Sequence, residues 1–164
     1  MTSTPAPHQI SVITGDTRAW ASALSALFVE LDVVIAGTGS HSGMHAEKFA
    51  FGDFELVRTS QLRGAFSVLR SERLVSRSTS NSFFIACMLD GRITMMQASR
   101  SITLGPSDLA VLDSTQPYRI DVDGRLDVLW VRVPRHRIEG RISRSAQVLA
   151  QRIDGSRGAG HLTS

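Results

Sequence analysis

Between residues 48 and 134 the apolar residues come in short pieces, and a turn signal separates most of them. Gly52-Asp53 divides 49–51 from 55–59. Asp90-Gly91 follows the apolar run 82–89 and precedes 93–97. Gly105-Pro106 stands between 101–104 and 109–112, and Asp123-Gly124 between 118–122 and 126–133. Residues 65–69 form a further piece. Asp-Gly suits the two-residue type I′ hairpin turn, whose central residues need φ > 0. Gly-Pro is a turn signal of another kind. About eight short strands, with turns every 6–12 residues or so, predict an all-β barrel or sandwich.

The flanks read differently. Residues 1–9 carry two prolines and no periodicity, and are expected to be a disordered tail. Residues 10–13 suit a short strand. Trp20, Leu24, Leu27, Phe28 and Leu31 then fall at i, i+4, i+7, i+8 and i+11, one face of a helix over 17–31, with Asp16 as N-cap. That stripe is expected to face the core. Pro134 ends the last strand. Residues 135–151 turn helical again, weakened at Gly140 by roughly 1 kcal/mol, with Ile138, Ile142, Ala146 and Leu149 as a buried stripe. Residues 155–160 resemble a flexible linker. The expected organisation is a tail (1–9), a β domain with an N-terminal helix (10–134), and a post-barrel helix and linker (135–164).

Hydrophobic residues make up 42% of the chain and charged residues 20%, enough for a packed core. No apolar run approaches 18 residues, so no membrane span is expected. The first residues lack a basic segment followed by an apolar one, so no signal peptide is read and the expected compartment is the cytoplasm. The single cysteine, Cys87, lies in an apolar run and is expected to be a buried thiol. The formal charge of +3 invites a nucleic-acid reading. Its distribution argues against one: residues 1–134 hold 12 basic and 13 acidic side chains, and the surplus lies in the last 30 residues.

Catalytic and metal chemistry find few residues to use. A metal needs three or four converging donors. His8, His41, His45, His136 and His161 all lie outside 46–135, where every expected barrel strand runs. No metal and no cofactor are expected. His41 and His45 are four apart in a Gly/Ser-rich stretch and read as a solvated loop. There is no Gly-x-Ser-x-Gly and no Gly-rich phosphate loop, so no catalytic residue is assigned. Phe83 and Phe84 must point to opposite faces of a strand, one to the core and one toward a cavity.

An ordered set of motifs remains: Leu89-Asp-Gly91-Arg92, Gln97, Leu104-Gly-Pro-Ser-Asp108, Leu112-Asp113, Pro117-Tyr118 and Val133-Pro134-Arg135. Together they resemble the AraC-binding-like domain, the cupin-related module N-terminal to the helix-turn-helix pair of AraC-type transcription regulators. The likeness covers roughly residues 10–160. It implies a mostly β fold, a cupin-like or jelly-roll β-barrel with an N-terminal and a C-terminal helix. It also implies a regulatory role, in effector binding, dimerisation or both. One local departure is Pro106-Ser107-Asp108, where the family has Pro-Gly-Asp; Ser tolerates φ > 0 less well than Gly. The larger departure is that no helix-turn-helix pair is read in these residues. The chain alone is therefore expected not to bind DNA specifically.

Two other functions stay open. A metal-free cupin enzyme, such as an isomerase or epimerase, would need a general base in the barrel, and only Tyr118 is on offer. A truncated regulator would act as an interaction protein, as a homodimer or paired with a full-length regulator. For a small-molecule effector the candidate ligand-binding residues are Trp130, Arg132 and Tyr118. In 126–133, alternation puts Val128, Trp130 and Arg132 on one face and Leu129, Val131 and Val133 on the other. The second face is expected to pack against the flanking helix. The first joins a large aromatic to a fixed cation, which favours an anionic or aromatic effector.

Overall fold

The computed structural model describes residues 9–37, 39–139, 141 and 148–155. The elements run β1 (Gln9–Ile13), α1 (Thr17–Leu27), β2 (Asp32–Ala36), β3 (Met44–Phe51), β4 (Phe54–Gln61), β5 (Ala65–Arg70), α2 (Glu72–Arg77), β6 (Ser82–Gln97), β7 (Arg100–Leu104), β8 (Asp108–Asp113), β9 (Tyr118–Pro134) and β10 (Ile153–Asp154). The fold is mostly β. Its ten strands pair antiparallel in one sheet, which rolls around a core without closing.

Two long strands organise the roll. β6 and β9 pair along almost their whole length, from Ser82↔Pro134 to Met96↔Arg119. The first part of β6 also pairs with β8, and its last part with β7. The first part of β9 also pairs with β5, and its last part with β4. Each long strand therefore passes from one wall of the roll to the other.

The two Asp-Gly dipeptides expected as hairpin turns lie inside these strands. The β6–β9 register slips between Met88 and Asp90, and again between Gly91 and Ile93. These are bulges, the device that bends a strand at a barrel corner. Asp-Gly supplies the positive φ that both uses need, so local sequence does not tell them apart. Gly52-Asp53, by contrast, does form a hairpin turn, between Phe51 and Phe54.

α1 begins where expected, with the Asp16 carboxylate accepting the Ala19 N–H at 2.9 Å. It ends at Leu27 rather than at residue 31. Ser25 Oγ accepts the Leu31 N–H at 2.9 Å and so turns the chain out of the helix. The β-branched residues of Val33-Val34-Ile35 then pair with β5. The stripe is core-facing: Trp20, Leu24, Leu27 and Leu31 are buried and Phe28 packs against them. Gln9, assigned to the tail, already belongs to β1. Both β2 and α2 escaped the reading of the sequence.

After Pro134 the chain enters a 3-10 helix, Arg135–Arg137, and much of the helix expected over 135–151 lies outside the described residues. Leu149 forms a parallel bridge with Val111, so helix does not run through it. Of the expected stripe there, Ile142 and Ala146 lie outside the described residues.

The family motifs act as fasteners. Buried Gln97 exchanges two hydrogen bonds with the Asp113 backbone: its Nε2 donates to the carbonyl and its Oε1 accepts the N–H, each at 2.9 Å. Asp113 accepts from Thr115 N–H and from Arg135, whose guanidinium lies over the Phe83 ring. Asp108 accepts the Gly105 N–H at 2.8 Å and pairs with Arg152.

The turn from Gly105 to Asp108 is closed by the Asp108 N–H donating to the Gly105 carbonyl, with φ of +71° at Ser107. Proline at the second position and positive φ at the third define a type II turn, which favours Gly where Ser107 stands. Ser107→Gly should therefore stabilise the fold by about 0.5–1 kcal/mol, the relief of left-handed strain less the added chain entropy. Thermal unfolding checks it: a melting temperature unchanged or lowered would show that the strain is absorbed elsewhere.

Candidate functional site

The roll holds a half-open apolar cavity whose wall comes from both halves of the sheet and from α1. Phe66, Val68, Tyr118, Ile120, Val122 and Ile93 line one side; Met44, Thr59, Phe84, Leu112, Leu126 and Trp130 line the other. Leu24, Phe28 and Leu31 close it from α1 and the turn after it. The cavity volume is about 50 Å³, room for a molecule of only a few heavy atoms. Anything much larger must displace part of that α1 wall.

Among the lining residues only Thr59, Tyr118 and the indole N–H of Trp130 offer polar groups. Tyr118 is buried, and its hydroxyl has no hydrogen-bond partner among the described residues. Burial pushes its phenol well above the ordinary range, an effect that Arg70 and Arg132 oppose by their charge. Arg70 and Arg132 thus both lie within electrostatic reach of the phenol.

The three candidate residues are partly brought together. Trp130 and Tyr118 both line the cavity. Trp130 meets Phe28 edge to face, with centroids 5.8 Å apart. Arg132 shares Trp130's face of β9 but is not in the cavity wall. Its register partners are Glu55 and Phe84. It pairs with the Glu55 carboxylate at 3.3 Å and lies 5.7 Å from the Phe84 ring centre. It also donates to the Phe28 carbonyl at 3.3 Å and to Ser82 and Ser80. It shares the Glu55 carboxylate with Lys48, also at 3.3 Å, and its donors are committed. It serves to hold the Phe28 turn over the cavity.

The opposite face of β9 does not pack against α1. Leu129 and Val131 are half-buried and only Val133 is buried, whereas α1 lies on the cavity side with Trp130. The division of Phe83 and Phe84 holds: Phe84 lines the cavity and Phe83 is buried on the other face under Arg135. Cys87 is half-buried rather than fully buried, and burial raises its thiol pKa.

The scan against protein-family models matches the AraC-binding-like domain over residues 20–163. The chain belongs to that family. The AraC-like transcriptional activator CuxR has the same fold: TM-score 0.68 at 16% identity, covering 80% of this chain and 49% of CuxR. A curated relative from Bacillus sp. (strain OxB-1), an uncharacterized protein in the nit 5′ region, is 24% identical over 117 residues, 71% of this chain and 44% of its own length. A cupin superfamily protein from Desulfitobacterium hafniense is similar at a TM-score of 0.47 and 15% identity, over 60% of this chain and 84% of that one. This AraC-binding-like domain thus spans about half the length of CuxR and of the Bacillus protein. No helix among its described residues is long and apolar enough to cross a membrane.

Reasoning from sequence missed Arg70, a buried cation beside the cavity wall. The inward face of β5 carries Phe66, Val68 and Arg70 in strict alternation, but the expected strand stopped at residue 69. Extending the alternation by one position would have placed a cation inside the roll.

His41 was read as part of a solvated loop, yet it is partly buried. It packs edge-on to Trp20 with centroids 4.5 Å apart, and its ring fills the space a Cβ on Gly64 would take. The Gly43 N–H donates to its Nδ1, leaving Nε2 buried without a partner. Burial lowers its pKa, so the folded domain prefers the neutral ring. That preference stabilises the domain fully above the unfolded value of about 6.5, and is lost as pH falls through the lower folded value. His41→Phe should then flatten the change in melting temperature between pH 7.5 and pH 5. Parallel pH profiles for the variant and the parent would rule this out.

Proposed function

We propose that this is the effector-binding domain of an AraC-type transcription regulator, taking a small, mostly apolar molecule into the interior cavity. The observation that carries the reading is a half-open, mostly apolar cavity in a member of this family, walled by both halves of the sheet and by Leu24, Phe28 and Leu31. Trp130 and Tyr118 contact the effector, and Arg132 positions the Phe28 turn above it. Because Leu24, Phe28 and Leu31 form one wall, occupancy is felt directly by α1, the element best placed to pass the signal on. Acting in the cytoplasm, pairing with a second copy or with a longer regulator, and lacking specific DNA binding in these residues alone are parts of the same proposal.

The enzyme reading has less support. Isomerase chemistry needs a base poised near neutral pH. The cavity wall has no His, Asp or Glu. Its phenol is pushed the wrong way by burial.

The experiment is a thermal-shift screen of the chain against cytoplasmic metabolites, since a ligand selective for the folded state raises its stability by mass action. Val122→Phe, which adds a ring to the cavity, is the control. Overpacking should cost about 1–3 kcal/mol and abolish every shift seen with the parent. A ligand whose shift survives in Val122→Phe binds elsewhere and removes the cavity reading.

A further inference from the structure

Three charged side chains are buried among the described residues: Arg70, Asp108 and Asp113. Asp108 is paired with Arg152 at 2.9 Å and Asp113 with Arg135 at 2.5 Å. Arg70 is different. Its side chain is 0% exposed, and its nearest carboxylate, Glu30, lies 3.8 Å away and is itself 59% exposed. Its Nε donates to the Ser114 carbonyl and its Nη1 to the Glu30 carbonyl, each at 2.8 Å. Nη2 is buried with no partner. A cation taken out of water without a close counter-charge is costly, and an unpaired donor on it adds to that cost.

Arg70 also has a particular neighbour. It is the direct cross-strand partner of Tyr118, and both side chains are buried on the inner face of the roll. Tyr118 lines the cavity and its hydroxyl is likewise unpartnered. Arg132, the other cation near the phenol, has its donors committed to Glu55, which it shares with Lys48, and to Phe28, Ser80 and Ser82. Behind the cavity wall at this end there is therefore a buried cation, its nearest carboxylate 3.8 Å away, with one spare N–H beside the spare O–H of Tyr118 in the wall itself.

Resting on the ligand-binding reading above, we propose that the effector is a carboxylate with an apolar body, its anionic group held by Arg70 and Tyr118 and its body packed among Phe28, Phe84, Ile120 and Trp130. A carboxylate has two acceptor oxygens and one negative charge, matching a guanidinium N–H plus a phenol O–H and restoring charge balance at Arg70. The Arg70 contacts to Ser114 and Glu30 fix the guanidinium in advance, so little ordering remains to be done on binding.

The test compares charged and neutral molecules of the same shape: isovalerate against isovaleramide, and benzoate against benzamide. Binding to the whole chain is read by thermal shift and by quenching of tryptophan fluorescence. The carboxylate of each pair should bind at least ten-fold more tightly than its amide. Tyr118→Phe, which loses no hydrogen bond of the ligand-free fold, should weaken the carboxylates about ten-fold and leave the amides unchanged. Arg70→Gln should erase the preference. Should Arg70→Gln fail to fold, the paired ligands and Tyr118→Phe still decide the matter. Equal binding of acid and amide, or a carboxylate affinity indifferent to Tyr118→Phe, overturns this proposal and leaves the cavity as a site for neutral ligands. No response to any of the four overturns both this proposal and the ligand-binding reading.

Discussion

Gly91→Ala should destabilise the domain by about 2–5 kcal/mol, out of the 5–15 kcal/mol that a domain of this kind has in total. Two costs combine. Gly91 has φ of +84°, where an L side chain is strained by about 1–2 kcal/mol. A Cβ there would also overlap the Arg125 carbonyl oxygen and crowd Leu126 Cα on β9. Those atoms are backbone and cannot rotate away, so the β6–β9 ladder must shift at its bend, a cost of a further 1–3 kcal/mol or so. Gly124→Ala is the internal control. Its φ of +91° carries the same conformational strain, but nothing lies within 4 Å of the added carbon. It should cost only about 1–2 kcal/mol. Urea or thermal unfolding of both variants decides the matter: similar losses would mean that the close approach of β9 to Gly91 is not what fixes the corner.

Trp20→Ala should cost about 3–5 kcal/mol, the range for truncating a buried large aromatic. At roughly 2–4 °C per kcal/mol for a chain of this size, the melting temperature should fall by some 6–20 °C. Trp20 is only 1% exposed and lies between α1 and the sheet, 5.1 Å from Phe66 and 4.5 Å from His41, centre to centre. Phe66 is itself part of the cavity wall, so the loss loosens the seat of α1 as well as emptying space. Leu62→Ala provides the contrast: at 72% exposure it should change stability by less than about 0.5 kcal/mol. A loss below about 1.5 kcal/mol for Trp20→Ala would mean that α1 is not anchored through this residue.

Much of this domain was legible in the amino-acid sequence. The apolar stripe of α1, its Asp16 cap, the Gly52-Asp53 hairpin and the alternation that puts Val128, Trp130 and Arg132 on one face are local patterns, and local patterns survive folding. So was the family: its ordered motifs turn out to be fasteners such as Gln97 on Asp113, and the family match spans residues 20–163. The turn at Gly105-Pro106 was legible too, but its type was not: proline at the second position suits type I and type II alike, and the positive φ at Ser107 selects type II.

Other features were decided only in three dimensions. Asp90-Gly91 and Asp123-Gly124 read equally well as hairpin turns or as bulges. What made them bulges is that β6 and β9 pair with each other on both sides of the bend, a contact between residues some 30 to 50 apart. α1 stops at Leu27 because Val33, Val34 and Ile35 find an edge on β5, which no window around residue 30 can show. The fate of the charges is the clearest case. Arg132 and Arg70 look alike in sequence, each an arginine at the end of an alternating strand. Register sets Glu55 beside Arg132 and Tyr118 beside Arg70. Electrostatic compensation falls off over a few ångströms, so those neighbours alone leave one cation committed and the other with a spare donor.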